Sequence, residues 1–144
     1  MNAVDTNLLV YAHREDSTWH KAALKVLVGL ADGTDLWAIP WPCVHEFLAI
    51  VTHPKIYRPP SPMPLAIASI RAWMESPTLR LLGEGPDHLD RLERLALASK
   101  AAGPMVHDAR IAALCVSHGV RQLLSADRDF SRFPSLKIKN PLVG

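Results

Sequence analysis

Asn2-Ala3-Val4-Asp5-Thr6-Asn7-Leu8-Leu9-Val10-Tyr11-Ala12 opens the chain, and its reading decides the fold. A short buried strand ends at Asp5, and a helix opened by Thr6 and Asn7 follows. An acidic side chain where a strand hands over to a helix sits on the ligand-binding edge of a parallel sheet. Three later stretches can bring further carboxylates to that edge: around Glu46, around Asp108, and in Ser125-Ala126-Asp127-Arg128-Asp129-Phe130.

Beyond the opening, apolar positions at Trp19, Ala23, Leu24, Leu27 and Leu30 recur at three and four, which predicts a helix with Ser17 as its N-cap. Leu36–Ile39 reads as a buried strand, and Pro40 and Pro42 suit a turn into a helix over Val44–Val51. Pro54 to Pro64 holds five prolines and reads as an irregular surface loop within a single domain spanning 1–144. Leu65–Met74 predicts a helix and Leu79–Leu82 a strand. Asp87 then caps a helix through Leu89, Leu92, Leu95 and Ala96. A helix through Asp108, Ile111, Ala112, Leu114 and Cys115 ends at Gly119, with strands expected at Gln122–Leu124 and Leu136–Lys139 and a helical turn between them. Strands alternating with helices imply an α/β fold around a mostly parallel sheet of about five strands.

Composition sets the bounds. With 144 residues, 49% hydrophobic and 21% charged, the chain can bury one core and is not a disordered polymer. A net charge of +2 permits local basic patches without demanding a nucleic-acid partner. Cys43 and Cys115, the only cysteines, lie in apolar helical patterns and read as free buried thiols of a reducing cytoplasm. Neither a membrane span nor a signal-peptide core is present in the sequence.

Taken singly, each acid has an ordinary explanation. Asp5 could be an N-cap, Glu46 half of an internal salt bridge, Asp108 a partner for its helix dipole, and Asp127 a turn cap. Together, Asp5 and Asp127 follow strands while Glu46 and Asp108 lie early in helices entering from the same edge, where such positions converge. Clustered carboxylates raise one another's pKa, and a hard divalent cation relieves that repulsion. Such a site can activate water against a phosphodiester, so metal-assisted cleavage of RNA is the expected chemistry. No zinc spacing, G-x-S-x-G elbow or Walker loop competes with it.

Of the seven histidines, His13, His20, His45 and His53 flank the cleft helices without ligand-like pairing, while His107 beside Asp108 is a candidate for substrate contact or proton transfer that reads first as a helix-surface residue. Arg14, Lys55, Arg58, Arg110, Arg128 and Arg132 lie near the acidic edge and are either solvated charge or phosphate contacts. Trp41 and Tyr57 are candidates to stack on bases, with the core as the more ordinary place for Trp41.

Asp5-Thr6-Asn7, Glu46 in its helix, Asp108 followed by Ala109 and Ile111-Ala112-Ala113, and Leu124-Ser125-Ala126-Asp127-Arg128-Asp129-Phe130 together resemble the PIN domain. More narrowly, they resemble the VapC-type ribonuclease toxins of type II toxin–antitoxin modules, over essentially the whole chain. The resemblance implies a three-layer α/β/α sandwich around a five-stranded parallel sheet. It also implies Mg²⁺- or Mn²⁺-dependent endonucleolytic cleavage of structured RNA, transfer or ribosomal RNA foremost. Asp5 and Asp108 would be the principal metal ligands, and Glu46 and Asp127 would complete the acidic set directly or through water. Thr6, Asn7 and Ser125 match the supporting polar positions, Ser125 standing where the family often has threonine. Asp129 matches another frequent acid, and its share relative to Asp127 stays open. A homodimer and a VapB-type antitoxin partner are further implications.

Other readings remain at this stage. A PIN nuclease of RNA maturation would share the site without the antitoxin. A phosphoacceptor signalling domain needs a pair of early acids, whereas Asp5 stands alone, and an Asp-x-Asp phosphatase finds Asn7 in its second acidic position. A catalytically silent RNA-binding relative would not need the full acidic set.

Overall fold

Runs of consecutive buried residues, rather than alternating ones, mark the central strands. A computed structural model describes residues 1–143 of the chain. Its strands are β1 (Asn2–Val4), β2 (Trp37–Pro40), β3 (Leu79–Leu82), β4 (Gln122–Leu124) and β5 (Lys137–Lys139). They form one sheet in the order β3-β2-β1-β4-β5, every pairing parallel, as the alternating pattern predicts. Ala3, Val4, Trp37, Ala38, Ile39 and Leu123 are all at most 1% exposed, which requires cover on both faces of the inner strands. At the β5 edge, Lys137 and Lys139 are exposed, and charge there discourages further strand pairing.

The cover comes from two groups of helices. α1 (Thr6–His13), α2 (His20–Asp32), α3 (Trp41–Val51) and α4 (Met63–Met74) pack on one another; α5 (His88–Ser99) packs on α6 (Met105–Ser117). Pro42 and Pro64 both fall in the first turn of their helices, where a missing N–H breaks no helical bond. Trp37, the largest fully buried side chain, donates its indole N–H to Ser76 Oγ at 3.1 Å, so its burial strands no polar group. The proline-rich stretch is the connection between α3 and α4, and strands from both sides of it enter the same sheet.

Several local expectations need correction. Ser17 does not cap α2: its hydroxyl accepts from the Trp19 amide and its carbonyl from the His20 amide, both at 3.1 Å, which closes a turn ahead of the helix. Asp87 occupies the N-cap position of α5, yet its side chain pairs with Arg91 at 3.1 Å instead of with the helix amides. Only Leu92 and Leu95 of α5 pack against the core, while Leu89 is 74% exposed. Trp41 is exposed at the start of α3 and leans on His45, with ring centroids 6.0 Å apart.

Gly119 ends α6 at φ +70°, a left-handed conformation that explains glycine there. No neighbour crowds a Cβ at that position, so the cost of Gly119→Ala is purely one of backbone conformation. Thermal unfolding of this variant is expected to show about 1–2 kcal/mol of lost stability. An unchanged midpoint would mean that the α6–β4 turn relaxes freely.

Candidate active site

The strand order places β1 at the centre, with β2 and β3 on one side and β4 and β5 on the other. The chain therefore reverses direction across the sheet between β1 and β4, and a crevice opens beyond their carboxyl ends. Asp5 follows β1 directly, and Ser125 follows β4. Between them lies a cleft of about 320 Å³ lined by Asp5, Thr6, Asn7, Glu46, Asp108 and Asp127, with Val10, Tyr11, Ile50, Tyr57, Ile111 and Phe130 supplying apolar and aromatic walls.

Asp5 forms the floor. It stands at the N-cap position of α1 but makes no side-chain cap, so the ordinary capping explanation fails. Its carboxylate, 4% exposed, accepts instead from Ser125 Oγ at 2.7 Å and from Cys43 Sγ at 3.5 Å. Burial pushes its pKa up, against the lowering effect of the Ser125 hydrogen bond. Ser125 Oγ accepts in turn from the Asp127 amide at 2.9 Å, and Asn7 Oδ1 accepts from the Ala126 amide at 3.3 Å. These bonds tie the loop after β4 to the loop after β1.

Asp108 enters from the first turn of α6, and Asp127 and Asp129 from the start of the short 3-10 helix Arg128–Arg132. Asp108, Asp127 and Asp129 each bring one carboxylate oxygen to within 4.8 Å of the others. Asp127 Oδ1 accepts from the Asp129 amide at 2.8 Å, which holds the two acids side by side. The Asp108 carboxyl is pushed up to about 6, by burial first and then by the negative charge of Asp127, Asp5, Asp129 and Glu46.

Glu46 stands on the α3 wall. No salt bridge meets it among the described residues. Thr6 donates to its Oε2 at 2.9 Å, which links it to the helix that starts at Asp5. All eight acidic and polar positions singled out in the sequence thus converge on one end of the sheet. Asp129 belongs to the tight trio, whereas Asp5 and Glu46 lie outside it. Arg14 and Arg110 do not neutralise the acids, being paired with Asp16 and Glu84. His107 is exposed and stands outside the cleft lining.

Sequence reasoning missed Cys43. It appeared as an inert core thiol, and burial does hold its pKa well above the ordinary thiol value. The same burial sets its S–H against Asp5. Only the packing of α3 against α1 and β2 brings them together, and no local pattern encodes that.

A parallel sheet covered on both faces, with a carboxylate-lined crevice where its strand order reverses, defines an α/β fold whose site is built from oxygen donors. Comparison with known proteins gives the affiliation. The PIN domain family model matches residues 3–136. Ribonuclease VapC48 of Mycobacterium tuberculosis is 31% identical over 140 residues, covering 97% of each chain. The crystal structure of VapBC2 from Rickettsia felis, bound to a DNA fragment from its promoter, superposes with a TM-score of 0.69 at 16% identity and covers 96% of each chain. That of VapC20 from Mycobacterium tuberculosis, a sarcin–ricin loop cleaving toxin, gives 0.65 at 17% identity over 91% of this chain and 93% of the other. At such identities the two structures speak for the fold. The chain belongs to the PIN domain family and, within it, to the VapC group.

Proposed function

We propose that this protein is a divalent-metal-dependent endoribonuclease and the toxin of a VapBC-type module. The observation that carries this reading is the trio Asp108, Asp127 and Asp129 within 4.8 Å, beside buried Asp5 and with no cation paired to it among the described residues. Like charges at that spacing oppose joint ionisation and call for a counter-charge. Every donor in the trio is a carboxylate oxygen, which fits a hard ion such as Mg²⁺, or Mn²⁺, better than a soft one. Asp108, Asp127 and Asp129 would surround the ion, with Asp5 and Glu46 beside them completing the acidic set directly or through water. When bound, the ion would supply charge stabilisation on the phosphodiester and a more acidic water.

The protein's own groups do the rest. Ser125 and Cys43 fix the Asp5 carboxylate, so it would meet the ion or its hydration shell with little reorganisation. Glu46 has one oxygen engaged by Thr6, and the other, Oε1, is free to take the proton of the attacking water. The names of the relatives support RNA as substrate: VapC48 is a ribonuclease, and VapC20 cleaves the sarcin–ricin loop. We favour structured RNA, transfer or ribosomal, on that basis. The VapBC2 complex supports a cognate VapB-type antitoxin as partner, and a homodimer follows from the same family reading. No helix among the described residues is long and apolar enough to cross a membrane.

The test is incubation of total cellular RNA with antitoxin-free protein in Mg²⁺, in Mn²⁺ and in excess chelator, with Asp5→Asn alongside. Discrete fragments are expected with either ion. Chelation should abolish them, and Asp5→Asn should slow their appearance by about a hundredfold or more. Cleavage indifferent to chelator, or none under any condition, would overturn the proposal. A small antitoxin gene beside this one would separate the toxin from a PIN nuclease of RNA maturation.

A further inference from the structure

One wall of the cleft is aromatic, and a hydrogen-bond network outside the acidic site holds it in place. α1 ends at His13, whose Nδ1 is hydrogen-bonded to Ser69 Oγ on α4 at 2.7 Å. Its Nε2 is hydrogen-bonded at 2.8 Å to Ser61 Oγ, where the proline-rich connection ends. A hydroxyl can donate or accept, so a neutral imidazole is satisfied in either tautomer. Burial lowers the His13 pKa and favours that neutral form.

Ser61 is buried and also accepts from Arg14 Nη1 at 3.1 Å. Asp16 grips the same guanidinium with two hydrogen bonds of 2.9 and 2.6 Å. The guanidinium carbon then lies 4.3 Å from the centre of the Tyr57 ring, close enough for a cation–π contact. Tyr57 is therefore fixed on one side by a cation that is itself held by two partners. The rest of this half-buried ring lines the acidic cleft, together with Tyr11. No protein group among the described residues bonds either phenol hydroxyl.

We infer that Tyr57 is the seat for an unpaired nucleobase beside the scissile phosphate, an assignment that rests on the ribonuclease reading above. The lining of the cleft holds four acids, Asp5, Glu46, Asp108 and Asp127, and no lysine or arginine. Without metal such a cleft repels the backbone of RNA, so the affinity of the metal-free protein within it must come from an uncharged part of the substrate. A base offers a flat uncharged face, and a tyrosine ring held in advance receives it with little loss of freedom. In a duplex that face is covered by neighbouring base pairs, so the site selects single strands, loops and bulges. A phenol is protonated at neutral pH, burial moves this one further from ionisation, and it adds no negative charge to the cleft.

The experiment uses a short mixed-sequence single-stranded oligoribonucleotide carrying 2-aminopurine at successive positions, in chelator so that no cleavage occurs. Binding to the wild-type protein is expected to quench the fluorescence at one or two adjacent positions, the signature of stacking. Tyr57→Phe keeps the ring and should bind within about twofold of wild type. Tyr57→Leu removes it and should lose the quenching and about tenfold or more in affinity. With Mn²⁺ restored, the Tyr57→Leu loss should fall in KM and leave kcat within a few-fold.

Quenching at no position of the wild-type complex would overturn the base seat, whether or not Tyr57→Leu folds. So would equal losses in both variants, or a loss confined to kcat. If the wild-type protein neither binds nor cuts RNA, the ribonuclease reading itself has failed and the base seat goes with it. If it binds and cuts RNA without quenching, only the base seat is lost.

Discussion

Asp108→Asn is expected to cleave RNA roughly 10²–10³ times more slowly than the wild-type protein while becoming more stable in the absence of metal. The rate loss follows from the several kcal/mol of transition-state charge stabilisation that a metal site supplies and that a missing ligand weakens. The gain in stability follows from the carboxyl's pKa of about 6 in the folded protein, against an ordinary value of 3.8. A carboxyl raised on folding binds a proton more tightly in the native state than in the unfolded one. Its contribution to stability is complete below the ordinary value and disappears as pH rises through about 6.

At neutral pH the ionised Asp108 therefore weakens the metal-free fold, and the uncharged amide removes that penalty. Melting curves of both proteins in chelator should nearly coincide around pH 4, with the variant melting higher above pH 6. Mg²⁺ should reverse the order, because the wild-type protein binds it more tightly and gains more from it. Parallel melting curves across this range would show that the acids around Asp108 do not repel one another as the geometry requires.

The second large effect is structural. Phe47→Ala should cost about 3–5 kcal/mol, a substantial part of the 5–15 kcal/mol by which domains are typically stable. Phe47 is fully buried, and its ring meets His13 edge-on at 5.3 Å and Trp73 at 5.1 Å. Those contacts join α3 to the end of α1 and to α4, so truncation opens a cavity where three helices meet. A fall of about 10 °C in the melting midpoint is expected. Because Glu46 precedes Phe47 and His13 anchors the Arg14–Tyr57 wall, RNA cleavage should fall as well, even well below that midpoint. A melting shift of only a degree or two would mean that the three helices close over the gap.

Much of this was legible from residue types alone. The handover from β1 to α1 at Asp5, the parallel sheet and the convergence of acids on one edge all follow from period, turn chemistry and strand–helix alternation. What escaped was side-chain partnership. Glu46 signalled a buried acid in need of a cation or a metal, and the protein partner it finds among the described residues is the Thr6 hydroxyl rather than a basic side chain. Cys43 signalled only burial, since its contact with Asp5 spans 38 residues and depends on how α3 packs against α1 and β2. Asp129 shared its turn with Asp127, and only the curl of the 3-10 helix brings both toward Asp108. Ser17 misled because a hydroxyl that caps a helix and one that closes the preceding turn look alike in sequence.

The floor of the cleft joins Asp5 to Ser125 across 120 residues. During synthesis the ribosome releases Asp5 well before Ser125, and until then its carboxylate lacks that counterpart. β1 lacks its neighbour β4, and the trio lacks Asp127 and Asp129, until the residues through Asp129 leave the exit tunnel. A nascent or prematurely terminated chain therefore carries Asp5, Glu46 and even Asp108 without an assembled centre. For a protein whose proposed activity attacks the cell's own RNA, this connectivity is a built-in delay. Activity is withheld until the residues through Asp129 have emerged and folded onto β1.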